Sequence, residues 1–244
     1  MRLSPLKLLD NIATQSRIII VGNKTYVVKN YSNELGLLKW YLLNIPARGI
    51  YPFKTAPLTR LKREIEYMKN APDYFRKPEI LLIDYTDLSV VREYVPGETY
   101  GPDSPPFVHS YMGMRLGQLH RSGWALGDVK ISNFIYTSSG DIYIIDAEQA
   151  TRESNTRYYA WDLLVLLSTL TIDGYNKFLV KASGYTKMIK DLLEGYLKGG
   201  EDVAINVIEM LKTLDEFKLI EYLLIPFPYN YLLIRVLDNL KHVD

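Results

Sequence analysis

The sequence predicts an α+β fold in which strands are concentrated in the N-terminal part and helices follow. Short β-branched and aromatic runs around turn residues indicate three β-hairpins, over residues 17–29, 80–94 and 133–146. Helical periodicity covers residues 59–70, 107–121 and 157–170, and most of the chain from residue 173 to the end. With 244 residues, the chain can bury a large core, as one domain or as two lobes that share a cleft.

The composition excludes several classes of function. The chain has 29 Lys and Arg residues and 28 Asp and Glu residues, so its net charge is +1. No overall basic field therefore indicates binding to nucleic acid or to an anionic membrane surface. The absence of Cys excludes disulfides, thiolate metal sites and a cysteine nucleophile. The N-terminus lacks the apolar core of a signal peptide and no apolar run reaches the length of a membrane span, so we expect a cytoplasmic protein.

The first hairpin ends at a lysine. Its strands, RIIIV and TYVVK, flank a Gly22-Asn23 turn, and Lys29 is the last residue of the second strand. A lysine at a strand end is usually solvated, so Lys29 becomes a candidate only through the residues further along the chain. The segment before the hairpin, residues 13–16, contains no glycine that would let the backbone approach a phosphate closely. A helix is predicted after the hairpin, over residues 32–44.

The helix predicted over residues 59–70 has a carboxylate on or beside its apolar stripe. Leu61, Ile65 and Met68 recur at helical spacing, and Glu64 lies among them. A carboxylate on the buried side of a helix needs a cation, because an unpaired buried charge is costly. Glu64 would alternatively be a solvated residue of a highly charged helix. The basic residues 60–63 of the same helix are interpreted as a solvated face.

The second hairpin ends in a short connector, Glu93-Tyr94-Val95-Pro96-Gly97. A proline-rich loop then leads to the helix predicted over residues 107–121, where His120 is interpreted as a structural residue.

Three polar residues follow in the segment 119–150. The first strand of the third hairpin begins at Asn133 and the second ends at Asp146. Antiparallel pairing brings these two positions to the same end of the ladder, with Asp128 five residues upstream of Asn133. Converging oxygen ligands beside a second carboxylate suit a hard cation that carries phosphates.

This segment resembles the protein-kinase-like superfamily, in its atypical branch. Leu126-Gly127-Asp128 stands where protein kinases have His-Arg-Asp, and Asp146-Ala147-Glu148 where they have Asp-Phe-Gly. The pairs Gly127-Asp128 and Ser132-Asn133 are similar to KEOPS-complex and RIO kinases. The run IDAEQA is closer to aminoglycoside and lipopolysaccharide kinases.

The resemblance implies a bilobal fold, with a small antiparallel-sheet N-lobe over residues 1–95 and a mostly helical C-lobe over 96–244. It also implies ATP and Mg²⁺ or Mn²⁺ as cofactors, with the metal on Asn133 and Asp146. Lys29, braced by Glu64, would contact the ATP phosphates.

The remaining roles also follow from the resemblance. Asp128 would orient the acceptor hydroxyl and accept its proton, and Lys130 would stabilise the transferring phosphoryl group. The backbone of Glu93 and Val95 would bind adenine. Asp162 would hold the backbone of the catalytic loop.

Three functions remain open from the sequence. An atypical Ser/Thr protein kinase is favoured by Lys130. A kinase for a small-molecule or glycolipid hydroxyl is favoured by IDAEQA and by the short segment, residues 151–156, before the next helix. A nucleotide-binding pseudokinase is suggested by the missing glycines, by the absent His and Arg, and by Ala147-Glu148.

Overall fold

A computed structural model describes residues 16–32, 49–178 and 182–240 of the chain. Their strands are β1 (Ser16–Val21), β2 (Lys24–Asn30), β3 (Ile80–Asp84), β4 (Ser89–Glu93), β5 (Glu98–Thr99), β6 (Trp124–Ala125), β7 (Phe134–Tyr136), β8 (Ile142–Ile144) and β9 (Thr151–Arg152). Their helices are α1 (Pro57–Asn70), α2 (Pro106–Arg121), α3 (Thr156–Phe178), α4 (Ala182–Gly200), α5 (Asp202–Thr213), α6 (Asp215–Leu224) and α7 (Tyr229–Asn239). A 3-10 turn, Ile131–Asn133, precedes β7.

The N-terminal lobe is an antiparallel sheet of order β1-β2-β4-β3. Its register pairs Lys29 with Val90 and Val27 with Arg92. Because side chains alternate along a strand and paired positions share a face, these four residues lie on one face of the sheet.

Helix α1 covers this face of the sheet. Proline at its first position suits a helix start, because that residue has no N–H to leave unpaired. Leu61 and Ile65 pack with Tyr31 and Val90 in a small core between helix and sheet. Further along the helix, Tyr67 belongs to the core of the larger lobe. The helix therefore contacts both cores.

The segment after α1 is attached to the third hairpin. The Arg76 N–H donates to the Ile142 carbonyl and the Ile144 N–H donates to the Arg76 carbonyl, each at 2.9 Å. This backbone pairing joins the end of the α1 segment to β8.

The larger lobe is mainly helical and is organised around the close packing of α2 against α4. Gly113 of α2 and Gly195 and Gly199 of α4 lie where the two backbones meet. A Cβ on any of them would overlap the backbone of the facing helix. Glycine is therefore required at these positions for contact, not for an unusual φ. None of the helices in the described ranges is long and apolar enough to cross a membrane.

The structure confirms the predicted α+β fold class with two lobes, an antiparallel sheet in the small lobe and helices in the large one. All three hairpins are present. The division at residue 95 stays a prediction. Residues 33–44 of the predicted helix over 32–44 lie outside the described part of the chain.

Two differences from the prediction concern long-range pairing and helix length. The two-residue strands β5, β6 and β9 were not predicted, because each is defined only by a partner distant in sequence. Helix α3 ends at Phe178 rather than at residue 170.

Candidate active site

The site is built around the Lys29 ammonium, which lies among three carboxylates. Its Nζ is 2.6 Å from Glu64 Oε2, 2.8 Å from Asp146 Oδ1 and 3.3 Å from Glu148 Oε2. These residues come from β2, from α1 and from the segment after β8. The contact that the sequence predicted between Lys29 and Glu64 is present.

Two arginines also pair with carboxylates of this cluster. Arg92 Nη1 lies 3.0 Å from Glu64 Oε1, and Arg60 Nη1 lies 3.0 Å from Glu148 Oε1. Within the described part of the chain, Lys29 and these two arginines are the cations paired with the three carboxylates. Pairing of this kind is what allows charged groups to be buried. Here it ties α1 to β4 and to the segment after β8.

Burial and charge act in opposite directions on Lys29. Burial disfavours its charged form, but the carboxylates of Asp146, Glu148 and Glu64 outweigh burial and raise the pKa of Lys29 well above its usual value. The ammonium is therefore fully charged at neutral pH.

The position of Arg60 corrects the sequence interpretation of residues 60–63 as a solvated face. Its side chain is 0% exposed, and its Nη2 donates to the Tyr31 carbonyl at 2.6 Å. The basic run is thus split, because Arg60 points into the cluster whereas Lys62 is exposed. Helical spacing places Arg60 beside Glu64, four residues on, on the inward side of α1.

The loop that leads to Asp128 is held by a buried carboxylate, Asp162 of α3. Asp162 accepts backbone N–H groups from Leu126 at 2.6 Å and from Gly127 at 2.7 Å. Gly127 has φ +75°, and a Cβ there would overlap the Tyr51 ring, so glycine is required. The Gly127 carbonyl accepts the Trp161 indole N–H at 2.8 Å. The predicted contact of Asp162 with the loop backbone is confirmed.

His120 supports the same loop indirectly, through its contact with Asp162. It is 1% exposed, stacks on Tyr159 with ring centroids 4.5 Å apart, and lies 3.3 Å from Asp162 through Nε2. Burial lowers the pKa of His120 although Asp162 opposes the shift. The neutral ring is therefore a hydrogen-bonding structural residue, as the sequence indicated.

Asp128, Lys130 and Asn133 form a second group. The Asn133 side-chain nitrogen donates to the Asp128 carbonyl at 2.8 Å, so the amide oxygen is the atom of this side chain that could bind a metal. Lys130 Nζ lies 3.2 Å from Asp128 Oδ2. Asp128 thus has a cation beside its carboxylate.

The third hairpin joins the two groups. The Ile145 N–H donates to the Asn133 carbonyl at 2.9 Å, immediately before Asp146. The side chain of Asp146 is 22% exposed, whereas those of Glu64 and Glu148 are each 3% exposed. Asp146 is therefore the carboxylate of the Lys29 cluster that a ligand reaches. Together with the amide oxygen of Asn133 it provides the hard oxygen donors that Mg²⁺ prefers.

A second arrangement of acids is less suited to a metal. Glu64, Asp146 and Glu148 each place one carboxylate oxygen within 4.8 Å of the others. The Lys29 ammonium contacts all three residues, so its positive charge already neutralises the carboxylates that a metal ion would need.

The connector begins at the end of β4, an inner strand of the sheet. Glu93 ends β4, and its N–H donates to the Glu79 carbonyl at 3.0 Å, so this N–H is already used within the protein. Val95 is half-buried two residues later. On the sheet, Ile18 of β1 pairs with Val27, which places it on the Lys29 face, and it is 61% exposed. Ile18 therefore adds an exposed apolar side chain to this face of the sheet.

Sequence reasoning missed Glu148, Arg60 and Arg92 as members of the site. The sequence analysis considered Glu148 as a departure from the Asp-Phe-Gly pattern and as part of IDAEQA, but not as a member of the site, yet it lies in the cluster two residues after Asp146. The available signal was its position, as a second acid two residues after Asp146 in a segment already marked as a candidate site. The signal for Arg92 was the alternation along β4, where Val90 and Arg92 face the same side.

No protein-family model matches the chain, and no curated protein matches it significantly. Among solved structures the chain is similar to two structures of WbdD, one of them described as a bifunctional kinase-methyltransferase. The sequence identities are 14% and 16%, each with a TM-score of 0.39 over 72% of this chain. The match spans only 44% and 43% of the WbdD chains. A likeness this distant carries no argument about chemistry, which rests on the side chains described above.

Proposed function

We propose that the protein is an ATP- and divalent-metal-dependent phosphotransferase that phosphorylates a hydroxyl group. The observation that supports this best is the joint contact of Lys29 with Glu64 and Asp146. These residues lie 35 and 117 positions from Lys29 in sequence. A charged lysine braced by a helix carboxylate, beside an aspartate of the metal-binding segment, is the arrangement that phosphoryl transfer by kinases requires.

Phosphoryl transfer depends on positioning and on neutralising charge more than on covalent chemistry. Asn133 and Asp146 would hold the divalent metal, which when bound neutralises charge on the ATP phosphates. Lys29 binds the same phosphates through its ammonium. Asp128 orients the acceptor hydroxyl and accepts its proton, which suits a weak base when the proton leaves late.

The nucleoside would lie against the small lobe. Ile18 and Val27 present apolar surface on the Lys29 face of the sheet, and the backbone of Glu93 and Val95 passes beside it. Adenine binding through the connector is proposed on this placement.

For the acceptor, we propose a Ser or Thr hydroxyl of a protein. The supporting contact is the 3.2 Å ion pair between Lys130 and Asp128, which places a cation next to the residue that would orient the acceptor. An ammonium there can contact both the hydroxyl and the moving phosphoryl group.

A small-molecule or glycolipid hydroxyl is the second candidate. It is favoured by the short stretch between the metal-binding segment and the next helix. After Ala150 the chain forms only β9, which pairs with β6, before α3 begins at Thr156. This stretch offers little platform for a peptide.

The proposal is tested with γ-labelled ATP and Mg²⁺ or Mn²⁺, offered with the protein alone and with a generic protein acceptor. We expect label on serine or threonine in phosphoamino-acid analysis. Asp128→Asn should lower the rate on the order of 10²–10⁴-fold while an ATP-induced thermal shift persists, because a general base acts in the transition state. Lys130→Ala should also lose transfer and retain ATP binding.

The matched control is Asp87→Asn, which changes an exposed aspartate in the β3–β4 turn. It should leave the rate unchanged. Label on a sugar or lipid hydroxyl, without phosphoserine or phosphothreonine, would favour the second candidate. ATP binding without any label transfer would favour a pseudokinase.

A further inference from the structure

The stretch between β2 and α1, residues 50–54, is attached to the larger lobe, and we refer to it as the strap. Ile50, Tyr51 and Phe53 are buried in the core of that lobe. The Phe53 ring packs edge-on against Trp161, with ring centroids 5.6 Å apart. Since the Trp161 indole also holds the catalytic loop, the strap lies beside that loop.

Tyr51 of the strap contacts two parts of the candidate site. Its hydroxyl donates to the Gln149 carbonyl at 2.7 Å. Its ring lies against Gly127, where a Cβ would come within 2.4 Å of the ring atom Cε1. Gly127 immediately precedes Asp128, and Gln149 stands three residues after Asp146. One side chain therefore bridges the loop of the acceptor-orienting residue and the segment of the metal-binding residue.

Gln149 is bound to the strap by its side chain as well. The Lys54 N–H donates to Gln149 Oε1 at 2.8 Å, and Gln149 Nε2 donates to the Lys54 carbonyl at 2.9 Å. The side chain is 0% exposed, so these two bonds satisfy an amide that water does not reach. Together with the Tyr51 hydroxyl, they fix Gln149 relative to the strap.

A short turn connects Gln149 to Asp146. The Glu148 N–H donates to Asp146 Oδ1 at 3.3 Å, and the Ala150 N–H donates to the Ala147 carbonyl at 3.0 Å. Hydrogen bonds within so few residues give the segment a defined shape. A displacement of Gln149 would therefore also displace Asp146.

We propose that Tyr51 is a positioning residue that fixes the segment of Asp146 against the loop of Asp128, so that metal and acceptor hydroxyl are held at a fixed separation. The inference rests on the proposed function, since it assigns Tyr51 a part in phosphoryl transfer. In-line transfer is sensitive to such a separation, because small misplacements of reacting groups lower the rate strongly.

The test is Tyr51→Phe, assayed by transfer from γ-labelled ATP to a generic protein acceptor at saturating Mg²⁺. The variant keeps the ring on Gly127 and loses only the hydroxyl. We expect kcat to fall about fivefold, the factor that one neutral hydrogen bond typically contributes. The KM for ATP should not change, because Lys29 and the metal still bind the phosphates and only their alignment with the acceptor is altered.

Gln149→Met is the second variant, because it removes both side-chain bonds to the strap at similar side-chain size. Its kcat should fall on the order of tenfold, again without a change in KM. The double variant with Tyr51→Phe should fall no further than Gln149→Met, because the segment is already released. If Gln149→Met does not fold, Tyr51→Phe decides the matter.

The matched control is Tyr100→Phe. The Tyr100 hydroxyl is hydrogen-bonded to His109 Nδ1 at 3.0 Å, and the residue is 0% exposed. The control therefore loses a buried hydrogen bond of the same kind elsewhere in the larger lobe. Its stability should fall as in Tyr51→Phe, whereas kcat should stay native.

A native kcat in Tyr51→Phe, or a loss no larger than that in Tyr100→Phe, would overturn the role of Tyr51. So would additive losses in the double variant, since the two residues would then act independently. In each case the proposed function stands, because the native protein is active in the same assay. If the native protein transfers no label, the proposed function fails and this inference fails with it.

Discussion

The ammonium of Lys29 and the carboxylate of Glu64 are in direct contact, at 2.6 Å, in the buried space between sheet and helix. The contact joins the end of β2 to the middle of α1. It also fixes the direction of the ammonium, since the other Glu64 oxygen is bound to Arg92.

We expect Lys29→Ala and Glu64→Ala to weaken phosphoryl transfer non-additively, because each removes the same contact. The interaction free energy from a double-mutant cycle on kcat/KM should be on the order of 0.5–3 kcal/mol. Glu66→Ala is the matched control, since Glu66 lies on the same helix and is exposed. Its cycle with Lys29→Ala should be additive. Additive losses for Glu64 as well would show that the contact does not matter for transfer.

Asp146→Ala should remove the dependence of ATP-induced thermal stabilisation on divalent metal while the apo protein stays folded. The reason is that Asp146 is the more exposed carboxylate beside Lys29 and belongs to the hard-oxygen pair with Asn133. Differential scanning fluorimetry with ATP, with and without Mg²⁺, measures this. Asp141→Ala, at the opposite end of β8, should behave as the native protein. Equal protection of the Asp146 variant by Mg²⁺ and ATP would make the metal assignment wrong.

Gly195→Ala should lower the free energy of unfolding by about 1–3 kcal/mol, because the new methyl group would overlap the backbone of α2 at Ser110. Gly184→Ala tests the same substitution in the same helix, where a Cβ meets nothing within 4 Å. That control should be neutral or stabilising by up to about 1 kcal/mol, since alanine favours helix. Urea unfolding of both variants decides the matter, and equal stabilities would contradict the close packing of α2 and α4.

Glu221 should make stability depend on pH. Burial raises the pKa of this α6 carboxyl from 4.5 to about 7. The folded protein binds this proton more tightly than the unfolded chain does. Protonation of Glu221 therefore adds to the free energy of unfolding in full below about pH 4.5, and this added stability is lost as pH rises through 7.

Glu221→Gln should therefore flatten the fall in stability between pH 5 and 8 by on the order of 1–3 kcal/mol, as measured by urea unfolding. Glu209→Gln, at an exposed position of α5, should leave the pH profile unchanged. Parallel profiles for the native protein and Glu221→Gln would show that the carboxyl is ionised in the fold.

Much of the site could be predicted because its signals are local. Hairpin pairing brings Asn133 and Asp146 to one end of a ladder, and helical spacing turns Glu64 inward. Each inference needs only the geometry of one element. The loop contact of Asp162 followed from the family resemblance, which supplies long-range information that spacing alone does not.

The arginines of the site could not be predicted in the same way. Arginines on a helix or strand are mostly solvated, and only the tertiary partners Glu148 and Glu64 make burial of Arg60 and Arg92 favourable. The two-residue strands were missed for a related reason, because two residues have no periodicity and β6 exists only through β9.

The backbone pairing of Arg76 with β8 has a mechanical consequence. Helix α1 is anchored at its far end through Arg76 and along its length through Arg60 to Glu148. Both attachments belong to the segment that carries Asp146. Helix α1 is therefore tied to the hairpin that carries Asp146, and through Glu64 it is also tied to Lys29 and Arg92 of the sheet. A shift of that hairpin would therefore reach Lys29 through a single helix, without passing through the connector after β4.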